Sequence, residues 1–157
     1  MKLRDFIIDN HAYALGIQAD TYEDAIKAGV DLLIAAGTAE KRYYQSVLDI
    51  KQKHGPYYVI APGIAMPHAR PEDGAIDTGF ALVTLTHPVA FGHPDNDPVD
   101  IILCISAKDK DDLNNNVIVD VMTLLENESI VDKIRAAKTE EDLCKIFDEV
   151  DAFGTES

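Results

Sequence analysis

Two runs constrain the fold more than anything else in the chain: Gly79–Thr86 (GFALVTLT) and Val99–Ser106 (VDIILCIS). Both are β-branched and nearly continuous in apolar character. A strand with one wet face alternates apolar and polar residues, so runs like these predict strands covered on both faces. The covering layers must be helical, and the flanking segments supply them. Asp20-Thr21-Tyr22-Glu23-Asp24 combines an N-cap residue with first-turn acids, and Ala25, Ile26, Val30, Leu33 and Ile34 follow at helical spacing until Gly37. A second helix is expected from about Ala39 to His54, ended by Gly55-Pro56. Further helices are expected at 1–10, 111–126, 129–137 and 139–150, the last opened by Thr139-Glu140-Glu141-Asp142. Shorter strands are expected at 12–17 and 57–61, with 64–66 extended. The result is one α/β domain with a single mixed β-sheet flanked by helices, running from 1 to 151, with residues 152–157 a frayed tail.

Charge and composition exclude several functions. Lys+Arg total 14 against Asp+Glu 28, a net charge of −14, in a chain of 157 residues with 46% hydrophobic content. Nucleic-acid binding needs clustered cations on phosphate, and an anionic membrane surface repels such a chain. No stretch approaches the roughly 18 apolar residues of a membrane span, and no secretion signal is apparent, so a cytoplasmic location is expected without direct membrane insertion. Cys104 and Cys144 form neither a zinc pattern nor a disulfide framework.

The chemistry concentrates in Ala61–Gly74 (APGIAMPHARPEDG), where three prolines and two glycines sit beside a strand. Pro67 fixes its own φ and drives Met66 extended, and Pro71 does the same to Arg70. His68 and Arg70 are thus held between two rigid points. A neutral imidazole so presented can attack phosphorus, and a nearby guanidinium can bind phosphate oxygens. The residues alone leave open that His68 is a surface or capping histidine and that Arg70 pairs with Glu72 or Asp73. His93, with Asp95, Asp97 and Asp100, could suggest a metal site, although an Asx-rich turn explains those acids better. His11, His54 and His87 read as solvated loop or helix-end residues.

The run Gly63–Gly74 (GIAMPHARPEDG), with the strand Val99–Leu103, resembles the active-site signature of the fructose/mannitol class of enzyme IIA domains. These belong to the bacterial phosphoenolpyruvate-dependent sugar phosphotransferase system. Blocks spread from Met1 to about Asp148, among them Arg42-Tyr43-Tyr44-Gln45, Gly55-Pro56-Tyr57 and Asp95–Asp100, are similar to the ascorbate-specific IIA proteins. The resemblance implies the fold of that class, with helices on both sheet faces. It implies a phosphocarrier that takes a phosphoryl group from HPr onto His68 and passes it to a IIB cysteine, for uptake of L-ascorbate or a related sugar. The IIC membrane component is then only an indirect partner, and neither a cofactor nor a metal is required. A regulatory IIA-like protein that signals its phosphorylation state by partner binding is the alternative. Two departures stand out. Where many members carry a second histidine this chain has Leu113 or Asn114, and where many carry an upstream arginine it has Ile50 or Lys51. Arg70, His93 and Asn114 are the candidates for the phosphate or partner contacts those residues would make.

Overall fold

The computed structural model describes residues 2–155. The elements in chain order are α1 (Lys2–Asp9), β1 (Tyr13–Ile17), α2 (Tyr22–Ala35), α3 (Arg42–His54), β2 (Val59–Ala61), β3 (Ile64–Ala65), β4 (Gly79–Val89) and β5 (Val99–Ser106). They are followed by α4 (Lys110–Asp112), a π-helical stretch Leu113–Val117, α5 (Ile118–Leu125), α6 (Glu128–Ala136) and α7 (Glu140–Thr155). The strands form a five-stranded mixed sheet in the order β1-β4-β5-β3-β2. β1 is parallel to β4 and β3 to β5, while β4–β5 and β2–β3 are antiparallel.

Period-two alternation along the two central strands explains why both read as continuously apolar. Phe80, Leu82, Ile101, Leu103 and Ile105 point into a core shared with α1, α5, α6 and α7. Ala81, Val83, Leu85, Ile102 and Cys104 point into a second core under α2 and α3. α2 begins where expected, with Thr21 Oγ1 accepting the Asp24 amide N–H at 3.2 Å. It lies unusually close to the sheet, because a Cβ built on Gly29 would stand 2.3 Å from Cys104 Sγ and 2.9 Å from Cys104 Cβ.

That contact sets two effects against each other. In a free helix Gly→Ala gains about 1 kcal/mol. Here the new methyl overlaps a packed strand residue, and overpacking costs about 1–3 kcal/mol. Gly29→Ala is therefore expected to be net destabilising, with a melting temperature lowered by roughly 2–4 °C per kcal/mol lost. Cys104→Ala in the same chain should recover part of the loss. A Gly29→Ala protein that melts at or above wild type would show that the approach of α2 to β5 is not so tight.

Three details differ from the sequence reading. β2 starts at Val59 and not at Tyr57, because Tyr57 and Tyr58 occupy the turn after α3. The helix expected over 111–126 is interrupted by π turns at Leu113–Val117, around three successive asparagines, which are weak helix formers. α7 runs on to Thr155, past the boundary drawn at Asp151, and residues 156–157 of the expected tail lie outside the described residues. No helix among the described residues is long and apolar enough to cross a membrane.

Candidate functional site

β3 and β5 run parallel, so both deliver their C-terminal ends to one edge of the sheet. The proline-rich loop leaves β3 there, and the loop to α4 leaves β5 beside it. Loops at the carboxyl ends of parallel strands are the usual place for a site in an α/β sheet. The histidine loop is anchored from both cores: Met66 is buried in the first and Ala69 in the second. Its backbone is pinned as well. Met66 N–H donates to the Tyr58 carbonyl at 2.8 Å, and Ile105 N–H donates to the Pro67 carbonyl at 3.1 Å. The buried Tyr43 hydroxyl accepts from Ala69 N–H at 3.1 Å and donates to the Ile105 carbonyl at 2.7 Å. Downstream, Ser46 Oγ donates to the Asp73 carbonyl at 2.8 Å, tying the short 3-10 turn Pro71–Asp73 to α3.

His68 is half-buried on this fixed loop. Its Nδ1 lies 2.8 Å from the Met66 carbonyl oxygen. A carbonyl only accepts, so Nδ1 carries the proton and Nε2 carries the lone pair. No protein group among the described residues hydrogen-bonds Nε2. Burial lowers the imidazole pKa below its ordinary value, and the Met66 bond opposes that only in part. The ring is therefore neutral and nucleophilic at physiological pH.

The ring faces an open cleft of about 1180 Å³ with three walls. One is α3 and the turn after it, with Ser46, Asp49, Ile50, Lys53, His54 and Tyr57. The second is the histidine loop itself, from His68 to Asp73. The third is the segment after β5, with Lys108, Asp109, Lys110, Leu113 and Asn114. Four cations (Lys53, Arg70, Lys108, Lys110) meet four carboxylates (Asp49, Glu72, Asp73, Asp109), so the cleft is locally neutral in a chain of net charge −14. An anion entering the cleft is therefore repelled less than it would be by the protein's net charge spread evenly. The third wall is braced by Asp112, whose carboxylate accepts from the Thr78 hydroxyl and from Asn116 Nδ2, and both bonds hold it below the usual carboxylate range. Thr78 Oγ1 in turn accepts from Lys108 N–H at 3.2 Å.

Of the residues singled out in the sequence, His68, Arg70 and Asn114 share this cleft and His93 does not. Arg70 is exposed and forked onto Asp73, with Nε and Nη2 at 2.9 and 3.1 Å, which holds the Asp73 carboxyl below its ordinary range. Asn114 stands on the π-helical stretch, exposed at the rim. His93 sits in the loop before β5, where its Nδ1 accepts the amides of Asp95 and Asn96, both at 3.1 Å. The whole of β5 separates it from His68, a distance on the order of 20 Å. Asp97 is also a turn residue, accepting from the amides of Phe91 and Gly92. Among the described residues no three His, Cys, Asp or Glu side chains converge as a metal site would require. Of Ile50 and Lys51, Ile50 lines the cleft, whereas Lys51 turns away to lie 3.8 Å over the Tyr22 ring. Lys53, Lys108 and Lys110 were not singled out by sequence reasoning, His54 was read as a solvated helix-end residue, and Tyr57 was read only as part of a strand and of a resembling block. The one signal for them was position: Lys53 and His54 close a helix, and Lys108 and Lys110 follow a strand end.

Comparison with known proteins gives consistent results. Residues 6–150 match the family described as phosphoenolpyruvate-dependent sugar phosphotransferase system, EIIA 2. The ascorbate-specific PTS system EIIA component of Shigella boydii is 48% identical over 152 residues, covering 97% of this chain and 99% of that protein. A Streptococcus mutans structure assigned as a PTS IIA (PtxA) superposes with a TM-score of 0.89 at 33% identity, covering 97% of this chain and 96% of that one. The mannitol-specific cryptic phosphotransferase enzyme IIA CmtB of Escherichia coli gives a TM-score of 0.81 at 33% identity, covering 93% of this chain and 97% of that one.

Proposed function

Since the chain belongs to the EIIA 2 family of the phosphoenolpyruvate-dependent sugar phosphotransferase system, we propose that it is a cytoplasmic phosphocarrier for L-ascorbate uptake, with His68 as the acceptor. It takes the phosphoryl group from phosphorylated HPr and passes it to a cysteine of a IIB component. The observation that carries this reading is the hydrogen bond from His68 Nδ1 to the Met66 carbonyl, which leaves the Nε2 lone pair unengaged on a ring that lines the cleft.

The chemistry follows from that bond. The Nε2 lone pair attacks phosphorus in line, the new P–N bond forms, and the donor's P–N bond breaks, its electron pair returning to the donor histidine. The product ring carries the phosphoryl group on Nε2 and a proton on Nδ1, so it is formally positive. The Met66 carbonyl stabilises that charge and the positive ring is a good leaving group for the next transfer. Phosphoryl transfer asks for positioning and charge stabilisation, and little other chemistry from the protein. Lys53, Lys108, Lys110 and Arg70 can offset the dianion, and Asn114 can donate an amide N–H. Ascorbate is carried over from the names of the relatives; the transported sugar itself meets the IIC component and not this cleft.

Incubation with phosphoenolpyruvate, enzyme I and HPr is expected to add a single acid-labile phosphate, seen by intact mass and assigned to Nε2 by phosphorus–proton NMR correlation. Because burial lowers the His68 pKa, the ring stays unprotonated as pH falls through the ordinary histidine value of about 6.5. Acceptance should therefore hold through that pH and decline only below it. No phosphate gain, or attachment at Nδ1, would overturn the proposal.

A further inference from the structure

The phosphorylated ring described above needs protection that the catalytic step does not supply. A phosphoimidazole with a protonated second nitrogen is activated toward any nucleophile, and water is the most abundant one. In hydrolysis, water oxygen attacks phosphorus, the P–Nε2 bond breaks, and its electron pair returns to Nε2. Inorganic phosphate leaves and the neutral ring is regenerated, so the energy of the bond is lost.

Tyr57 is built against His68 in two ways. Its ring meets the imidazole edge-on, with centroids 5.6 Å apart and planes at 80°. Its hydroxyl donates to the His68 carbonyl at 3.3 Å. Gly55, at φ +80°, and Pro56 turn the chain after α3 so that the two tyrosines diverge. Tyr58 goes into the core, and Tyr57 lies outside it, 45% exposed. Tyr58 then backs Tyr57, the rings 5.3 Å apart at 67°. An aromatic side chain left this exposed contributes little to the core, yet its hydroxyl and its ring both have partners. Tyr58 ties it to the core on one side, and its other two contacts, ring and hydroxyl, are both with His68.

We propose that Tyr57 is a positioning residue that braces the His68 ring and keeps water from one side of the phosphorylated imidazole, so setting how long the phosphoryl group survives between partners. This rests on the phosphocarrier reading of His68. The ring supplies the shield, while the hydroxyl contact at 3.3 Å is the weaker of the two and serves to hold the backbone.

Tyr57→Ala and Tyr57→Phe separate ring from hydroxyl. Two readouts are taken: the His68 imidazole titration by NMR in the unphosphorylated protein, and the decay of phosphate from isolated phosphoprotein by intact mass. The titratable and charged side chains of the cleft walls are common to all variants: Asp49, Lys53 and His54 from α3, Lys108, Asp109 and Lys110 after β5, Arg70, Glu72 and Asp73 from the histidine loop. A change in titration therefore reads desolvation of the ring by Tyr57. Tyr57→Ala is expected to move the His68 pKa up toward its ordinary value and to shorten the phosphohistidine lifetime roughly two- to tenfold, the rate equivalent of one aromatic contact. Tyr57→Phe should restore both. Should the alanine variant unfold, Tyr57→Leu takes its place. A phosphorylated alanine or leucine variant with wild-type titration and decay overturns the role of Tyr57 alone. A wild-type protein that takes no phosphate from HPr overturns the phosphocarrier reading, and the lifetime claim with it.

Discussion

His68→Ala is expected to abolish phosphoryl acceptance while leaving the protein folded. Removing the nucleophile of a group-transfer reaction costs on the order of 10⁴-fold or more, since no other part of the machinery can substitute for the bond it forms. The cost to stability is small by comparison. His68 is half-buried and its side chain makes one hydrogen bond, to the Met66 carbonyl. Losing it costs about 0.5–1.5 kcal/mol, and the loop keeps its anchors at Met66, Pro67 and Ala69. The other histidines sharpen the test. His11 is paired with Glu140 at 2.8 Å and His93 caps a turn, so neither competes. His87 lies at the end of β4 that pairs with the start of β5, away from the cleft, which leaves His54, a residue of the cleft wall, as the alternative acceptor among them. A His68→Ala protein that still gains phosphate, with the gain removed by a further His54→Gln, would move the acceptor to α3. His54→Gln alone should leave acceptance by His68 in place.

The legible parts of the molecule are those where a local pattern and the tertiary result coincide. β4 and β5 were readable because both cores draw on them, successive residues of each strand going to opposite cores. The histidine loop was readable because Pro67 and Pro71 restrict it before any tertiary contact forms. The rest of the cleft was not, because it is assembled from three segments separated along the chain. A lysine at the end of α3 looks like any solvated lysine until Lys108 and Lys110 are seen across from it. His93 failed as a cleft residue for the complementary reason: its loop lies at the other end of β5, and only the strand direction reveals that. The π turns at Leu113–Val117 add one residue to the helical repeat, and the apolar periodicity on either side carries no trace of them. Tyr43 is the most instructive case. Its spacing marks it as a core-facing helix residue, and it is; nothing in that spacing tells that its hydroxyl holds the histidine loop.

That hydroxyl leads to the second large effect. Tyr43→Phe preserves the ring, its volume and the packing of α3 on the sheet. What it removes is the one acceptor of the buried Ala69 N–H, one residue from His68, and a donor to the Ile105 carbonyl. An orphaned buried amide costs about 1–3 kcal/mol, and the melting temperature should fall by roughly 2–4 °C per kcal/mol. The hydroxyl is not itself ionised, since burial pushes its pKa far up, so the loss is one of hydrogen bonding and not of charge. The loop is not released entirely, because Ile105 N–H still holds the Pro67 carbonyl. Beyond His68 the backbone is then held only by the longer Tyr57 hydroxyl contact to the His68 carbonyl and, further on, by Ser46 at Asp73. Misplacing a reacting atom by about 1 Å can cost on the order of 10²-fold, so a tenfold or larger fall in the single-turnover rate of acceptance is expected at saturating phosphorylated HPr. Urea unfolding and rapid-quench measurements on the same preparation separate the two consequences. A Tyr43→Phe protein as stable and as fast as wild type would mean that Pro67 and Pro71 suffice to present His68. A protein destabilised but equally fast would mean that the hydroxyl serves the core alone. Only the joint loss shows that α3 holds the histidine in place through a buried phenol.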